Sequence, residues 1–533
     1  YSSPVYDVLF GIYSTTSREF RKYNLNDLLD YYYKSLENEL QSRDIILNDF
    51  FDYFEYQSLI RQFIPLVKLS SSLTKYKIIK ENGPEKNKEL LLDILKELEE
   101  HFRYKSYRVI PEDVNKIVKD AIGDIEFEIV HYSLDSIGKG SGFLGHHNKL
   151  NITYLTNEGE KKLKYFTKLY PIGSPFTKMI DDSDLFDKEI LVYINIINDM
   201  QKYNIDIIND CVPRLIFGSS NDALVVEDLL ETGFVTVDHK RNLNVNEIET
   251  VLKVLAKFHA SSIVLEEKLY EQCESRRSLL EVYHRPLKEG HFVSDEKNAS
   301  RISFMVGTEA IVYMIEKIFG KCDEDLTHYI LNLYDKSREL LKPTQKFRNV
   351  MCHGDFWPPN FLLKYDDSGN PVDCRIIDFQ LVRYTLPAHD FMFIVVYVTT
   401  HEHRTKYLKH YIDFYYNALS SALKASNYDI NTLLTYEEFV EGCNHIIEQV
   451  YFQVACWYQF GQISVEKFNN GEIDAAECLY RDKKPVCEFA YKTDKNFRTK
   501  ISESFNNILR VYEVYRNHGT KEHCQFLREI YGI

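Results

Sequence analysis

The spacing of apolar residues changes along this 533-residue chain and divides it into regions with different predicted structure. From about residue 111 to 228, short apolar runs of strand length alternate with turn signals, as in a half-buried sheet. From Asn246 onward, apolar residues recur every three or four positions, as on the buried face of a helix. A strand-rich small region followed by a helical large one predicts the α+β fold class. The predicted elements are helices at Pro111–Ile122 and Asp187–Met200 and strands at Phe127–Leu134, Leu150–Leu155, Lys164–Leu169, Pro213–Phe217 and Ala223–Asp228.

The chain also contains an internal repeat, because residues 1–40 align without a gap on residues 384–423. The shared register includes residue types that chance would rarely align, in the pairs Pro4/Pro387, Asp7/Asp390, Arg21/Arg404 and Asp30/Asp413. We therefore predict that residues 1–105 are the remaining C-lobe of an upstream tandem unit, with a helix near Lys86–Phe102. A complete unit then follows, with a small N-lobe at 111–228 and a helical C-lobe at 229–533. Because the chain begins with Tyr1 rather than methionine, we expect a fragment of a longer protein.

Composition narrows the classes of function. Apolar residues make up 44% of the chain, enough for large cores, so a globular protein is expected. A formal net charge of -15 repels polyanions, which argues against a nucleic-acid partner. The sequence has no apolar run long enough to cross a membrane, so no membrane partner is expected. The ten cysteines occur singly, without the CxxC pairs of zinc sites, and reduced thiols favour a cytoplasmic location.

The segment HGDFWPPN, residues 353–360, carries the strongest chemical signal. His353, Asp355 and Asn360 fit the spacing H-x-D-x-x-x-x-N of a kinase catalytic loop. Phosphoryl transfer needs a carboxylate that orients the attacking hydroxyl and accepts its proton, and Asp355 can provide it. The reaction also needs oxygen ligands for Mg²⁺, and the amide oxygen of Asn360 is suited to that role. For this segment alone, an unrelated loop that reads HGD by chance is the alternative.

The residues that follow strengthen this interpretation. Phe361–Tyr365 predicts a strand, and the sequence DDSGNP at 366–371 predicts a turn. A second strand, Arg375–Ile377, ends at Asp378. A hairpin made of these strands returns Asp378 to Asn360, where a carboxylate is needed for the metal.

An upstream strand and helix supply candidates for nucleotide binding. Lys168, on a predicted strand, can reach the α- and β-phosphates of ATP as a point charge. Glu189, near the start of the next predicted helix, can hold that lysine by an ion pair. Asp187 is the alternative partner for Lys168. For both acids, the alternative interpretation is a surface charge in the first turn of a helix.

Two further segments are candidates for contact with the nucleotide. Gly138, Gly140 and Gly142 follow a predicted strand, and a glycine-rich turn lets backbone amides approach phosphates closely. The same glycines also fit an ordinary hairpin turn, and that alternative stays open. Farther along, the run that contains Glu227 and Leu229 predicts the segment joining the lobes, whose backbone would bind the adenine edge.

With these motifs in view, the unit resembles the insect ecdysteroid kinase-like family, also called CHK kinase-like, a branch of the aminoglycoside and choline phosphotransferases. The resemblance rests on VMCHGDFWPPNFLLKY, CRIIDFQLVRYTLPAHD, FDKEILVY and ALVVEDL together with the Lys168 strand, and it spans roughly residues 111–520. It implies a two-lobed, protein-kinase-like fold that uses ATP and Mg²⁺. The roles it implies are catalytic base for Asp355, metal ligands for Asn360 and Asp378, phosphate-anchoring pair for Lys168 and Glu189, and brace of the catalytic loop for Asp390.

The leading interpretation is a small-molecule kinase that transfers the γ-phosphate of ATP to a hydroxyl group. The resemblance suggests an ecdysteroid or a related lipophilic alcohol as the acceptor. A catalytically idle binding protein with the same fold is one alternative, and a choline- or aminoglycoside-type kinase with a different acceptor is another. A protein kinase is disfavoured because HGD replaces HRD and no APE-like segment soon follows Asp378. No pattern in the sequence identifies residues that contact the acceptor.

Overall fold

The structure is a computed structural model that describes residues 4–43, 45–47, 53–82, 108–137, 145–172, 174–272, 276–320, 322–461, 472–518 and 525–533. These residues form two compact units. The first falls within Tyr1–Ile137, His146–Tyr170 and Leu215–Glu227, and the second within Gly138–Gly145, Pro171–Arg214 and Asp228–Ile533. The described part of residues 1–105 therefore shares a unit with the strands predicted for the N-lobe. The predicted helix near Lys86–Phe102 lies outside the described residues.

The first unit combines helices with an antiparallel sheet. The elements are α1 (Pro4–Thr15), α2 (Arg18–Gln41), α3 (Tyr53–Asn82), α4 (Pro111–Ile122), β1 (Glu128–Ser136), β2 (His146–Thr156), β3 (Gly159–Leu169), β4 (Leu215–Ser219) and β5 (Ala223–Glu227). The five strands lie in the order β1-β2-β3-β5-β4, and every neighbouring pair is antiparallel. The strand-rich small region predicted from the sequence is thus confirmed.

Local sequence explains the packing of α4 on the sheet. Pro111 occupies the first turn of α4, where its missing N–H costs nothing, and the Asp113 carboxylate accepts the Ile110 N–H at 2.9 Å. In β2, every second residue from Asn148 to Tyr154 is buried, as expected of a strand with one face on a core. The apolar members of this face and the buried face of α4 share one hydrophobic core.

Arg61 of α3 joins three parts of the first unit. Its guanidinium lies 2.9 Å from the carboxylate of Asp113 in α4 and 2.6 Å from that of Asp222, between β4 and β5. It also donates to the Ser219 hydroxyl at 2.5 Å and to the Arg108 carbonyl at 2.6 Å. Removing one partner of such a buried pair costs about 3–5 kcal/mol, because the other charge stays buried. This cluster fixes α3 to the sheet.

The second unit is mostly helical. Its short strands are β6 (Phe234–Thr236), β7 (Val350–Cys352), β8 (Phe361–Tyr365), β9 (Pro371–Ile376) and β10 (Arg383–Thr385). They form a three-stranded sheet, β6-β8-β9, and a β7–β10 pair that the sequence analysis did not predict. The helices are α5 (Thr177–Asp182), α6 (Leu185–Leu191), α7 (Asn198–Lys202), α8 (Val245–Gln272), α9 (Leu279–Val282), α10 (His284–Leu287), α11 (Ala299–Phe319), α12 (Glu324–Leu331), α13 (Leu333–Leu340), α14 (Ala388–Val398), α15 (His401–Ala425), α16 (Tyr436–Gly461), α17 (Ala475–Tyr480), α18 (Lys484–Thr493), α19 (Lys495–His518) and α20 (Phe526–Tyr531).

The predicted helix Asp187–Met200 is not a continuous α-helix. After α6 ends at Leu191, Val192–Ile197 form a π-helical turn, and α7 resumes at Asn198. The turn is rich in β-branched residues, which slightly lower the propensity for a regular α-helix. Single π-turns concentrate at functional sites. This one carries Tyr193, which lies near the candidate site.

Two predictions from the sequence concern membrane-spanning segments and the state of the cysteines. Among the described residues, no helix carries an apolar stretch long enough to cross a membrane. The cysteines in those residues, such as Cys211, are free thiols. Burial raises the pKa of Cys211 to about 12, so this thiol stays neutral and packs as an apolar group.

The sequence repeat has a counterpart in two helix triplets, α1 to α3 in the first unit and α14 to α16 in the second. Helix α2 begins directly after Ser17 and α15 directly after Thr400, which are aligned positions. Each hydroxyl caps its helix by accepting a backbone N–H at 3.2 Å. Aligned ring pairs join the second and third helices, since Tyr33 packs on Tyr56 and Tyr416 on Phe439, with centroids 5.0 and 6.3 Å apart. The common register therefore extends beyond residue 40.

In each triplet, an arginine of the second helix hydrogen-bonds to backbone carbonyls at the end of the first helix, and we call this feature the arginine clamp. Arg21 donates to the Thr16 carbonyl at 2.5 Å, and the aligned Arg404 donates to the Thr399 carbonyl at 2.9 Å. Each arginine also donates to the carbonyl three residues earlier, at 3.4 Å in both triplets. The two triplets therefore share this local geometry at aligned positions. That they are tandem copies, the first from an upstream kinase-like unit, stays a prediction.

Candidate active site

The β8–β9 hairpin brings together the two predicted metal ligands. Phe361 lies opposite Ile376, and Ile377 donates its N–H to the Asn360 carbonyl at 2.9 Å. Asn360 and Asp378 therefore lie at the adjoining ends of the two strands. Asp378 has a left-handed backbone, with φ 67°, which turns the chain out of the strand at this point.

Asp355, the predicted base, lies between β7 and β8 and is held by two side-chain donors. The indole N–H of Trp457 donates to Oδ1 at 2.5 Å, and the amide of Asn360 donates to Oδ2 at 2.8 Å. The same amide nitrogen also donates to the Asp355 carbonyl at 2.9 Å. Because its nitrogen faces Asp355, Asn360 presents its amide oxygen on the opposite side, where it can bind a cation.

The pKa of Asp355 is raised from its ordinary 3.8 to about 7. Burial is the main cause, and the negative charge of Asp378 adds to it. The hydrogen bonds from Trp457 and Asn360 act in the opposite direction. A carboxyl group that titrates near neutral pH is suited to accept a proton from a substrate hydroxyl.

The donor set fits a hard divalent cation. Asp378 offers a carboxylate oxygen and Asn360 an amide oxygen. A second carboxyl group, that of Asp355, lies close enough for the charge of Asp378 to raise its pKa. Carboxylate and amide oxygens are the protein ligands that Mg²⁺ accepts in phosphotransfer sites. A cation on Asp378 would also offset the charge that raises the pKa of Asp355. The residues therefore fit the expected magnesium ion.

Asp390 of α14 holds the backbone of the catalytic loop. Its two carboxylate oxygens accept the N–H groups of His353 at 2.5 Å and Gly354 at 3.0 Å. Burial alone would raise the pKa of Asp390, but hydrogen bonds from His259 and His389 hold it well below its ordinary value. The carboxylate stays charged, and charge-assisted bonds to two consecutive N–H groups fix the loop. This is the geometry expected of the predicted brace.

Gly354 allows a close approach between the loop and the segment after Asp378. Its φ is +79°, and a Cβ atom here would lie 2.1 Å from the Leu381 carbonyl oxygen and 2.8 Å from Nε of Arg383. Arg383 is itself buried and lies 3.2 Å from the carboxylate of Glu289. No side chain fits at position 354 without displacing backbone.

A second group of ligand-type side chains is structural rather than a metal centre. His259, Cys352 and Asp390 place ligand atoms within 4.8 Å of one another, and all three residues are buried. The ring nitrogens of His259 are already engaged by the Tyr415 hydroxyl at 2.6 Å and by Asp390 at 3.2 Å. Burial raises the pKa of Cys352 well above its ordinary value, so its thiol stays protonated. The group functions as a hydrogen-bond network behind the loop.

Glu189 and Tyr193 both contact Phe379, the residue that follows Asp378. Glu189 is buried, and its carboxylate accepts the N–H of Phe379 at 3.2 Å. The Tyr193 ring packs edge-on against that of Phe379, with centroids 5.4 Å apart. Burial, with the charges of Glu189 and Asp378, raises the pKa of Tyr193 well above its ordinary value. Tyr193, which sequence analysis missed, is therefore a neutral hydroxyl beside the site.

The predicted lysine lies in the sheet of the first unit. Lys168 is buried in β3, opposite Leu224 of β5. Its ion pair with Glu189 stays a prediction. Asp187, the alternative partner, is also buried and lies 3.4 Å from the guanidinium of Arg285.

The remaining predicted nucleotide contacts are not tested by this geometry. Gly138, Gly140 and Gly142 lie outside the described residues, so phosphate binding there stays a prediction. Glu227 ends β5, and Leu229 begins a short 3₁₀ turn, Leu229–Thr232. Their contact with adenine likewise stays a prediction.

A cavity opens beside Asp355, and all its described lining residues belong to the second unit. Most of the wall is apolar or aromatic, and His291, Ser303 and Lys483 add polar groups. The apolar and aromatic wall residues include Phe176, Met179, Phe304, Trp357, Leu381 and Trp457.

Trp457 is the residue of the site that the sequence analysis missed most clearly. It lies in α16, about a hundred positions after Asp355, and the helical pattern there marks only a buried face. The signal in the sequence that could have identified Trp457 is the rarity of tryptophan. The chain has two tryptophans, and the other, Trp357, lies inside HGDFWPPN. Both line the cavity.

A loop carboxylate next to metal-type ligands on a hairpin is typical of phosphotransferases with the protein-kinase-like fold. The model of the ecdysteroid kinase-like family matches residues 1–44 and 139–428, which together exceed half of the chain. The protein belongs to the ecdysteroid kinase-like family, and this membership makes it a small-molecule kinase by class and implies the use of ATP.

Similar solved structures include choline and ethanolamine kinases. Plasmodium vivax ethanolamine kinase is 15% identical, with 78% of this chain and 97% of that chain covered and a TM-score of 0.32. Cryptosporidium parvum choline kinase is 12% identical, with coverages of 73% and 91% and a TM-score of 0.37. A choline/ethanolamine kinase family protein from Mesorhizobium loti is 11% identical, with coverages of 70% and 92% and a TM-score of 0.28. No functionally curated protein matches significantly.

Proposed function

We propose that this protein is an ATP- and Mg²⁺-dependent kinase that phosphorylates a hydroxyl group of a lipophilic alcohol, such as an ecdysteroid. The observation that carries the proposal is that Asp355, with a pKa of about 7, borders a largely apolar cavity. An apolar acceptor that fills the cavity would bring its hydroxyl to a carboxylate able to take the proton. Family membership supports the reaction class.

In the proposed mechanism, Asp355 orients the hydroxyl and accepts its proton as the oxygen attacks the γ-phosphorus. Trp457 and Asn360 keep the carboxylate in place through their hydrogen bonds. When bound by Asp378 and Asn360, Mg²⁺ would offset the negative charge of the phosphates. Lys168 would hold the phosphates. The aromatic wall would exclude water, which suppresses transfer of the phosphate to water instead of the acceptor.

Replacing Asp355 by Asn tests the role of the base. We expect turnover to fall by a factor of at least about 100, the usual range for loss of a general base. Binding of Mg-ATP should change little, because the assigned ligands Asn360 and Asp378 remain. ADP release with a panel of lipophilic alcohols, including ecdysteroids, measures turnover, and calorimetry measures nucleotide binding. Equal activity in the variant would refute the role of Asp355. A folded wild-type protein that neither binds nor consumes Mg-ATP would refute the proposed function.

A small cationic alcohol of the choline type is the second candidate acceptor. The rings of Phe304, Trp357 and Trp457 favour it, because a cation is attracted to the face of an aromatic ring. Adding choline and ethanolamine to the alcohol panel separates the two acceptor classes. The class that supports turnover is the acceptor, and turnover with neither class while Mg-ATP binds would favour an idle binding protein.

A further inference from the structure

A neutral histidine lies in the wall of the cavity. His291 is buried and lines the cavity. Burial lowers its pKa to about 4, and the positive charges of Arg383 and Lys188 lower it further, while the charge of Glu289 and the backbone of Gly290 act in the opposite direction. The imidazole ring is therefore uncharged at neutral pH.

The protein engages one nitrogen of this ring and leaves the other available. Nδ1 lies 3.1 Å from the hydroxyl of Ser300 in α11. Nε2 of His291 makes no hydrogen bond to the described residues. In a neutral imidazole one nitrogen donates and the other accepts, so the role of Nε2 is set by the bond to Ser300. A hydroxyl group can donate or accept, so it fits Nε2 in either tautomer.

The hydroxyl of Ser303 adds a second polar group to the same wall. Ser303 follows Ser300 by almost one turn of α11, so the two side chains project from the same side of the helix. Ser303 lines the cavity, and its hydroxyl has no hydrogen-bond partner among the described residues. The hydroxyl of Thr308, in the same helix, instead donates to the Phe304 carbonyl at 2.8 Å. The wall thus offers a ligand two neutral groups, Nε2 of His291 and Oγ of Ser303.

Trp457 sets the spacing between His291 and Asp355. Its indole N–H donates to Oδ1 of Asp355 at 2.5 Å, and its ring packs on that of His291 with centroids 6.1 Å apart. The Phe304 ring contacts both, with centroids 5.6 Å from Trp457 and 5.8 Å from His291. One indole ring therefore separates the carboxyl group from the imidazole, and a rigid molecule of a few fused rings can reach both.

Lys483 also lines the cavity, but its surroundings contain opposite charges. It interacts with other groups of the protein, and the carboxylates of Asp474 and Asp482 act on the same buried thiol, that of Cys478, as its ammonium group. Carboxylates therefore lie near this cation, which leaves the neutral pair on the wall as the stronger candidate for ligand binding.

We propose that His291 and Ser303 form a polar subsite that binds a second hydroxyl group of the acceptor, so that the enzyme prefers lipophilic diols to alcohols with one hydroxyl. The inference rests on the cavity being the acceptor site of the proposed function. Asp355 receives the reacting hydroxyl, and the second hydroxyl can donate to one group of the subsite and accept from the other. An acceptor without it would bury both groups unpaired, and sites built to bind a hydroxyl discriminate strongly against analogues that lack one.

Tryptophan fluorescence measures binding at this site directly, because both tryptophans of the chain line the cavity. The probes are a steroid with a single hydroxyl at one end of the ring system and the matched diols with a second hydroxyl at different positions toward the other end. The full chain is titrated without nucleotide, below the concentration at which any probe aggregates. Wild-type protein should bind the best diol at least about tenfold more tightly than the monohydroxy steroid, because two hydrogen bonds are gained.

Variants of the two wall residues assign the preference to the subsite. Ser303→Ala and His291→Phe should each reduce it to less than about threefold, because each removes one hydrogen bond and leaves the other isolated. The loss should fall on the diol, while binding of the monohydroxy steroid stays close to that of the wild type. Thr308→Val is the matched control, because it removes a hydroxyl of the same helix that is bonded to the Phe304 carbonyl. It should keep the wild-type preference.

Equal binding of the monohydroxy steroid and every diol by wild-type protein would overturn the inference, and so would a titration in which no probe binds; neither result needs a variant to fold. A preference unchanged in both Ser303→Ala and His291→Phe, or an equal loss of binding for both kinds of probe, would also overturn it. Since the titration requires neither ATP nor turnover, its outcome is independent of the kinase test. A protein that prefers the diol without consuming Mg-ATP would refute the proposed kinase and leave the hydroxyl subsite standing.

Discussion

Replacing Asp355 by Asn should change how the stability of the second unit depends on pH. In the unfolded chain this carboxyl titrates at its ordinary pKa of 3.8, and in the fold at about 7. Between these values the folded protein holds a proton that the unfolded chain releases. The group therefore stabilises the fold fully below about pH 4, and this contribution is lost as the pH rises through about 7.

The size of the effect follows from that difference in pKa. If the whole difference between the two pKa values acts on stability, the free energy of unfolding of the wild type falls by about 2.7 kcal/mol from pH 5 to pH 8, relative to a protein with a residue that does not titrate at this position. Asp355 keeps some exposure to solvent, so screening reduces the expected figure to about 1–2 kcal/mol. The free energy of unfolding of the variant, relative to that of the wild type, should therefore rise by about 1–2 kcal/mol from pH 5 to pH 8. The variant should also lose activity.

Urea unfolding with EDTA and without nucleotide measures this gain. Tryptophan fluorescence is the suitable signal, because Trp357 and Trp457 both lie in the second unit. Asp367→Asn, in the exposed turn between β8 and β9, is the matched control and should show no such gain. If Asp355→Asn and the wild type differ by the same free energy at pH 5 and pH 8, the raised pKa of Asp355 is refuted.

Three further substitutions give sharp expectations. Gly354→Ala should lower stability by about 3 kcal/mol or more, because its Cβ would lie 2.1 Å from the Leu381 carbonyl oxygen; a wild-type thermal melt would contradict this. Trp457→Phe removes a hydrogen bond that lowers the pKa of Asp355, so the acidic midpoint of the kcat/KM profile should rise by about half a pH unit or more; an unchanged midpoint would count against it. Arg404→Met should cost about 3 kcal/mol in chemical denaturation, since a buried guanidinium with several backbone and side-chain acceptors is lost; a cost below about 1 kcal/mol would disprove that role.

The parts of the fold and site that depend on short stretches of chain were predictable from the sequence. Phe361–Tyr365 and the turn after it predict a hairpin, and the hairpin geometry then sets Asp378 beside Asn360. The helix Pro111–Ile122 was predicted with its observed bounds, because proline and acidic residues mark its start and its apolar periodicity is regular.

The cavity beside Asp355 could not be predicted, because its wall combines segments that are distant in the chain. Phe176, Phe304, Trp457 and Lys483 come from separate helices or loops, and periodicity marks each only as buried or polar. The pKa of Asp355 depends equally on three-dimensional burial. The π-turn at Val192–Ile197 was missed because an apolar run fits α-helical periodicity about as well.

The similarity of the two helix triplets separates architecture from chemistry. Both triplets have the arginine clamp, at Arg21 and Arg404, and the second triplet also holds the catalytic loop through Asp390. The aligned acids differ, since Asp7 is exposed while Asp390 is buried beneath that loop. Replacing Arg21 of the first clamp therefore measures what the three-helix motif needs in order to fold. Replacing Asp390 also measures what the motif contributes to holding the catalytic loop.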